Sequence, residues 1–279
     1  MPMVRNNCVV ILFLSMAVIR WCDACGADGP EISSDLPAQE RNRTSILNAA
    51  ELKRWRFTTN PDGTALTVSE PVMRWSHYDI GRYYGDLHVL SSEGRPVAIF
   101  AMFRWYHPTT PSYVCATALD NSQVVAKRNG KVQWQPKTSG VDWKLLPNTR
   151  RPGPSQPSRL TQMRQYARRF SGEVSNRPVA DPSTFKKLRL LPQPIHRYST
   201  DTADGAIFAF SEGTNPAVLL CLEADLNPKK STWRYGIARR WSFESRINYE
   251  QKKVWSAPSL RPHKTNSTTP YYLSLIPRW

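Results

Sequence analysis

Two stretches of this chain, about 120 residues apart, carry the same order of residues, and that recurrence constrains the fold more than any other feature. The clearer stretch is Pro194 to Leu222, in which two apolar runs are separated by a short turn. The same order occurs in Pro71 to Met102. Offsets of 120 to 123 residues relate the landmarks: Pro71 and Pro194, Arg74 and Arg197, Ser76 and Ser199, Gly85 and Gly205, Pro96 and Pro216, and Trp134 and Trp255. Short apolar runs separated by turns are typical of β-hairpins, so the sequence predicts a β-module that occurs twice.

The predicted fold is all-β with one linking helix, in which two tandem related antiparallel β-modules pack into one barrel- or sandwich-like unit. Modules of about 70 residues would be marginally stable alone, which favours mutual burial over two separate domains. The predicted boundaries are a signal peptide over 1–26, a polar spacer over 27–51, a first β-module over 52–146, a Pro-rich linker plus amphipathic helix over 147–184, a second β-module over 185–258 and a C-terminal tail over 259–279. The tail either docks as an edge strand or hangs free.

The N-terminus has the layout of a secretory signal peptide. Arg5 precedes an uncharged apolar run from Cys8 to Ile19, and small residues follow around Ala24. The run is shorter than the roughly 20 residues that a membrane-spanning helix needs. The sequence therefore predicts a secreted or periplasmic (cell envelope) protein with no stable membrane span after leader removal. Lipid attachment at Cys25 is an alternative form of export.

The chain is strongly basic, with a formal net charge of +16, and removal of Arg5, Arg20 and Asp23 with the leader leaves +15. Such a charge attracts polyanions, which for an exported protein include envelope polysaccharides, lipid head groups and released nucleic acid, so charge alone does not select the partner. From the predicted leader, the charge and the aromatic content together, we expect an anionic or carbohydrate polymer as partner and no specific nucleic acid. Because the cations are scattered in pairs along the chain, a merely solvated basic surface is the alternative.

Two cysteines remain in the mature chain, Cys115 and Cys221, and both lie in apolar strand runs. Buried packing is the interpretation that this position favours. A disulfide between the two is the next alternative in an oxidising compartment, and a catalytic thiol is the third.

The predicted helix extends from about Arg159 to Phe170, with Ser158 as its N-cap and Gly172 at its end. Apolar residues recur at helical spacing, and the rest of its surface is taken by Arg159, Arg164, Arg168 and Arg169. The basic face contacts a membrane or an acidic partner in one interpretation. In the other, the helix packs on the sheet and its basic face is wet.

The best binding candidate is the run Arg104-Trp105-Tyr106-His107, at the end of a long apolar strand. Aromatic rings beside a cation can stack on sugars or bases while the guanidinium donates hydrogen bonds. An aromatic cluster that closes one end of the core would give the same sequence, and this alternative stays open.

No strong catalytic motif occurs in the sequence: it has no nucleophile elbow, zinc-protease motif, phosphate-binding loop or dinucleotide fingerprint. The five histidines have no spacing typical of metal ligands, so no metal and no cofactor are expected. A non-enzymatic binding module is favoured. An envelope hydrolase with a site assembled from distant segments, and a structural or adaptor protein, are the alternatives.

Several short segments together resemble a group of uncharacterised secreted proteins from planctomycete bacteria. They are 188–194, Arg197-Tyr198, 204–210, 213–216, Val254-Trp255, 54–57, Arg104-Trp105-Tyr106 and 160–164. The resemblance covers most of 52–258. The resemblance implies a bacterial exported protein, and it implies no particular activity.

Overall fold

The computed structural model describes residues 35–78, 81–107, 110–121, 123–175, 185–260 and 265–277. Half of the described residues lie in strands and 13% in helices, so the prediction of an all-β fold is confirmed. Helix α1 is Leu36–Leu52 and helix α2 is Gln156–Ala167. No helix among the described residues is both long and apolar enough to cross a membrane. The predicted signal peptide over 1–26 lies outside the described residues.

Strands β1 to β9 precede α2, and strands β10 to β18 follow it. The first set is β1 (Trp55–Thr58), β2 (Thr67–Val68), β3 (Met73–His77), β4 (Tyr83–Ser92), β5 (Arg95–Trp105), β6 (Ser112–Ala118), β7 (Val125–Arg128), β8 (Lys131–Trp134) and β9 (Lys144–Leu145). The second set is β10 (Phe170–Ser175), β11 (Phe185–Leu190), β12 (His196–Ser199), β13 (Ala203–Glu212), β14 (Asn215–Asp225), β15 (Thr232–Arg239), β16 (Glu244–Tyr249), β17 (Lys252–Ala257) and β18 (Tyr271–Ile276).

Strand pairing follows closely similar schemes before and after α2, although β10 of the second set also pairs with β11. In the first set, β1 pairs with β7 and β7 with β8, while β4 pairs with β2, β3 and β5, and β5 with β6. In the second set, β10 pairs with β16 and β16 with β17, while β13 pairs with β11, β12 and β14, and β14 with β15. All of these pairs are antiparallel. Each set also follows a helix, so α1 and α2 occupy corresponding places in the chain.

Each half lends an edge strand to the sheet of the other half. Strand β9, which follows the first set, pairs with β15 of the second, and β18 at the C-terminal end pairs with β6 of the first. Of the two alternatives for the tail, docking as an edge strand is the one observed over Tyr271–Ile276. This exchange ties the two halves together.

The sheets around β4–β6 and β13–β15 pack on each other through a shared core. Its buried residues come from both halves: Leu87, Val89, Ile99 and Ala101 from the first, and Ile207, Ala209, Leu219, Cys221 and Ala238 from the second. Residues Pro37–Trp279 form one compact unit. The prediction that the halves pack into one barrel- or sandwich-like unit is therefore confirmed.

A glycine faces an aromatic ring on the neighbouring strand in both sheets. Gly85 pairs with Trp75, and a Cβ at Gly85 would lie 2.3 Å from Trp75 Cζ2. Gly205 pairs with Tyr198, and a Cβ there would lie 2.1 Å from Tyr198 Cζ. These glycines are required because the ring of the partner residue occupies the space that a Cβ would need.

The predicted polar spacer over 27–51 is wrong from Leu36 onward, where the chain forms α1. The residues that α1 buries are polar and lie four apart: Glu40, Thr44 and Asn48. Asn48 donates a hydrogen bond of 2.8 Å to the carboxylate of Asp86 on the sheet. Because the buried face of α1 is polar, this segment lacks the apolar residues at helical spacing from which a packed helix is predicted. Residues 27–34 lie outside the described part of the chain.

Helix α2 begins earlier than predicted, at Gln156. Ser155 is the N-cap, and its side chain accepts from the backbone N–H of Ser158, whose own side chain closes a capping box. The prediction of Ser158 as the N-cap was wrong. Either Ser155 or Ser158 suits an N-cap by residue type, and the capping box uses the first as the N-cap and the second as its partner three residues later. The linker predicted over 147–184 also contains strand β10, which occupies Phe170–Ser175.

One arginine of α2 is buried against the sheet. Arg159 Nε lies 2.6 Å from Asp204 Oδ2, and its side chain is 9% exposed. The prediction that placed Arg159 on a wet basic face is therefore wrong. Met163 and Ala167 are also buried, so α2 packs on the sheet, as the second interpretation of this helix holds.

Cys115 and Cys221 are both free and buried. The disulfide alternative is not realised, and buried packing is the arrangement observed. Cys115 Sγ donates to the Arg240 carbonyl at 3.4 Å. Burial raises the pKa of both thiols, and it raises that of Cys221 to about 12, with a further contribution from the charge of Glu223.

Because the reactive species is the thiolate, we expect iodoacetamide at pH 8 to leave Cys115 and Cys221 of the mature, folded protein unmodified. In denaturant, both should react completely. Mass mapping of the tryptic peptides measures the two extents. Rapid modification of either cysteine in the native protein would contradict the burial described.

Candidate functional site

An aromatic cavity of about 330 Å³ lies where the two halves meet. The rings that line it are Trp75, Tyr83, Phe103, Trp105, Tyr113, Trp241, Phe243 and Tyr271. Among these residues, Phe103, Trp105, Tyr113 and Phe243 are partly exposed and the others are buried. Ligand cavities have this character: mostly apolar walls with a few polar groups. We call it the aromatic cavity.

Four strands of the first half and the exchanged strand β18 supply most of the wall. Phe103 and Trp105 lie two apart on β5, so their side chains emerge on the same face of the sheet. Tyr83 stacks on Trp105 with 4.4 Å between ring centroids, and Phe103 stacks on Tyr113 at 5.2 Å. Tyr271 of β18 closes one side. The cavity thus depends on residues that are far apart in the chain.

Arg240, directly after β15, also lines the aromatic cavity and is 3% exposed. Its guanidinium carbon lies 4.6 Å from the Trp75 ring centroid and 5.8 Å from that of Phe103. Its Nε and Nη2 atoms have no hydrogen-bond partner among the described residues, and no described carboxylate pairs with it. A buried cation without a counterion is expensive in free energy. Arg240 is the strongest indication of a ligand in the structure.

Asn215 provides a second polar group, fully buried at the cavity wall. Its Nδ2 donates to the Tyr83 hydroxyl at 3.1 Å, while its Oδ1 has no partner within the described residues. Trp75 Nε1 is buried without a partner as well. Residues that line the cavity therefore leave both donors and an acceptor unsatisfied.

Tyr271 remains a neutral phenol at the wall. Burial raises its pKa well above the usual value, and the neighbouring Cys115 raises it further. A neutral hydroxyl adds no negative charge beside Arg240. Among the described residues that line the aromatic cavity, Arg240 is therefore the one that carries a charge.

The structure places Trp105 apart from Arg104 and Tyr106, which it brings together, with the Arg104 guanidinium carbon 5.7 Å from the Tyr106 ring centroid. Trp105 lines the aromatic cavity, whereas Arg104 points to the other face of the sheet and donates to Ser112 Oγ at 3.0 Å. Tyr106 accepts a hydrogen bond of 3.1 Å from Thr44 of α1, and His107 is exposed. Neighbouring residues of a strand emerge on opposite faces, so Arg104 and Trp105 meet different surroundings.

The sequence analysis missed Arg240 and Trp241. These residues stand in the run Arg239-Arg240-Trp241-Ser242-Phe243, a cation beside alternating aromatic residues, as in the candidate run of β5. A search for every such run would have found it. Whether a carboxylate lies beside Arg240 depends on tertiary packing, and no local sequence pattern shows that the described residues provide none.

The described residues that line the cavity include neither a histidine nor a carboxylate. Nor do the described residues contain a group of three or more His, Cys, Asp or Glu side chains placed to hold a metal. The arrangement suits recognition of a ring and an anion, and it lacks the paired groups of acid/base chemistry.

No protein-family model, no curated protein and no solved structure matches this chain. The function proposed for it therefore rests on the geometry of the aromatic cavity.

Proposed function

We propose that this chain is an exported bacterial envelope protein that binds an anionic carbohydrate polymer without catalysis, by taking one acidic sugar unit into the aromatic cavity. The observation that carries the proposal is Arg240, a buried guanidinium among aromatic rings for which no described residue supplies a carboxylate partner. The unit that fits is a sugar with a carboxylate, such as a uronic acid.

The chemistry of the wall supports an acidic sugar on two counts. The apolar face of a sugar ring packs against aromatic rings, and Trp105 and Phe103 offer partly exposed rings at the mouth. A carboxylate beside Arg240 would form charge-assisted hydrogen bonds, which are about twice as strong as neutral ones. Asn215 Oδ1 can accept from a sugar hydroxyl.

A hydrolase is the second candidate, and one observation favours it. His77 Nε2 lies 3.2 Å from Glu212 Oε2, and both groups are buried. His77 stacks on Tyr83 and meets Trp241 edge-on, so these two cavity-lining rings contact it. His77 itself does not line the cavity, which is why binding is the function we favour.

We also propose that the chain carries a cleaved leader and is exported to the envelope, as its resemblance to secreted planctomycete proteins implies. A +15 mature chain sent to the envelope would meet acidic polysaccharide there. The matching helix-and-strand scheme of the two halves supports duplication of one module. In this account, the aromatic cavity arose where the two copies meet.

Methyl glucuronide and methyl glucoside differ only in the carboxylate, so together they test the proposal. We expect the glucuronide to bind at least about tenfold more tightly, because only it offers an anion to Arg240. Tryptophan fluorescence measures the titration, since Trp75, Trp105 and Trp241 line the cavity. Equal affinity for the two sugars, or no binding of either, would overturn the proposal.

A further inference from the structure

We propose that a second anion site lies outside the aromatic cavity, in a basic cleft that takes the sulfate or phosphate esters of an anionic polysaccharide. The cleft is an opening of about 590 Å³ between the segment after β9 and the loop between β14 and β15. Its cations are Arg150, Arg151, Lys229 and Lys230. It shares no lining residue with the aromatic cavity, so the two sites stand or fall separately.

The four cations have no counterion in the described part of the chain. None of them forms an ion pair there, and no carboxylate lines the cleft. Other arginines of this protein are paired, as Arg159 is with Asp204 and Arg234 with Glu223. Four like charges that converge without a carboxylate repel one another, and a multiply charged anion relieves that repulsion.

Hydrogen bonds fix the two segments that carry these cations. Arg151 Nη2 donates to the Pro228 carbonyl at 2.7 Å, which joins one segment to the other. The Tyr166 hydroxyl accepts from the Arg150 backbone N–H at 3.0 Å, and Gln162 Nε2 donates to the Arg151 carbonyl at 3.0 Å. Helix α2 therefore holds the first segment in place. The cleft is formed before any ligand arrives.

The second segment is held by its own side chains. Asp225 Oδ1 accepts from the Asn227 backbone N–H at 2.9 Å, and Asn227 Oδ1 accepts from that of Lys229 at 3.0 Å. Trp233 lines the cleft, and its buried Nε1 has no partner in the described residues. An acceptor oxygen in the cleft would therefore meet the four cations.

The basic cleft and the aromatic cavity lie at opposite ends of β15. Trp233 and Arg240 are separated by seven residues, a distance of about 23 Å at the usual strand rise of 3.3 Å per residue. A polysaccharide of a few sugar units is long enough to reach from one site to the other. The cleft would then add charge-based affinity to the recognition of an acidic sugar.

The test compares two variants of equal net charge in the binding of dextran sulfate. The first replaces the four cleft cations with glutamine. The second replaces four exposed lysines elsewhere: Lys131, Lys137, Lys252 and Lys253. We expect the cleft variant to bind about tenfold or more weakly, with a lower dependence on salt, and the control variant to bind as the wild type does within about twofold.

Two further measurements keep this result decisive. If the fourfold cleft variant fails to fold, Lys229→Glu with Lys230→Glu tests the same site and leaves the Arg151 hydrogen bond in place. Methyl glucuronide should bind the cleft variant unchanged, since its cavity is intact. Equal losses in the cleft and control variants, or tighter binding of DNA than of dextran sulfate at equal charge, would overturn the inference.

Discussion

Gly205→Ala should lower the free energy of unfolding by about 3 kcal/mol. The new methyl group would lie 2.1 Å from Tyr198 Cζ, well inside van der Waals contact. Tyr198 has little freedom to move away, because its hydroxyl donates a 2.7 Å hydrogen bond to the fully buried Glu223. Urea denaturation of the variant and of the wild type measures the difference.

The matched control is the same substitution in a chain whose Tyr198 is alanine. There the ring is absent, and Gly205→Ala should cost little or even stabilise the strand, since alanine restricts the unfolded chain more than glycine does. The two substitutions should therefore be strongly non-additive. A loss below about 1 kcal/mol in the wild-type background would mean that the glycine is not required by the ring.

Arg240→Met should stabilise the folded protein, by about 1 to 3 kcal/mol. Methionine keeps the contacts with Trp75 and Phe103 and removes a buried cation that has no described counterion. The melting temperature should rise by about 2 to 4 °C for each kcal/mol in a protein of this size. Arg43→Met is the control, because Arg43 is exposed and should leave the melting temperature unchanged.

A gain in stability on losing a buried charge is typical of a group kept for binding rather than for folding. Destabilisation by Arg240→Met would instead mean that the cation–π contacts outweigh the desolvation of the guanidinium. In that case Arg240 would be part of the scaffold, and the case for the aromatic cavity as an anion site would lose its support.

The strands could be predicted from the sequence because local signals mark them. Asn129 and Gly130 illustrate this: both have positive φ, as a two-residue hairpin turn between β7 and β8 requires. The long apolar run of β5 likewise predicted a strand covered on both faces. In such places the residue type and the backbone conformation are directly linked.

Helix α1 and the binding cavity could not be predicted in the same way. The buried face of α1 consists of groups such as Glu40, whose carboxylate accepts from Arg82 and Tyr84, so its partners lie more than 40 residues away. The cavity joins Trp105 to Arg240 and Tyr271, which are distant in sequence. Both features are created by tertiary packing. The sequence shows the residues that form them, and it does not show which of these residues come together.

The affinity of the Arg240→Met variant for methyl glucuronide, measured by isothermal titration calorimetry beside the wild type and the Arg43→Met control, tests the central claim most directly. We predict that the variant loses at least about a hundredfold in affinity while it stays folded, because the sugar carboxylate loses its buried cation. The control should bind as the wild type does. Wild-type affinity in a folded Arg240→Met variant would contradict the account.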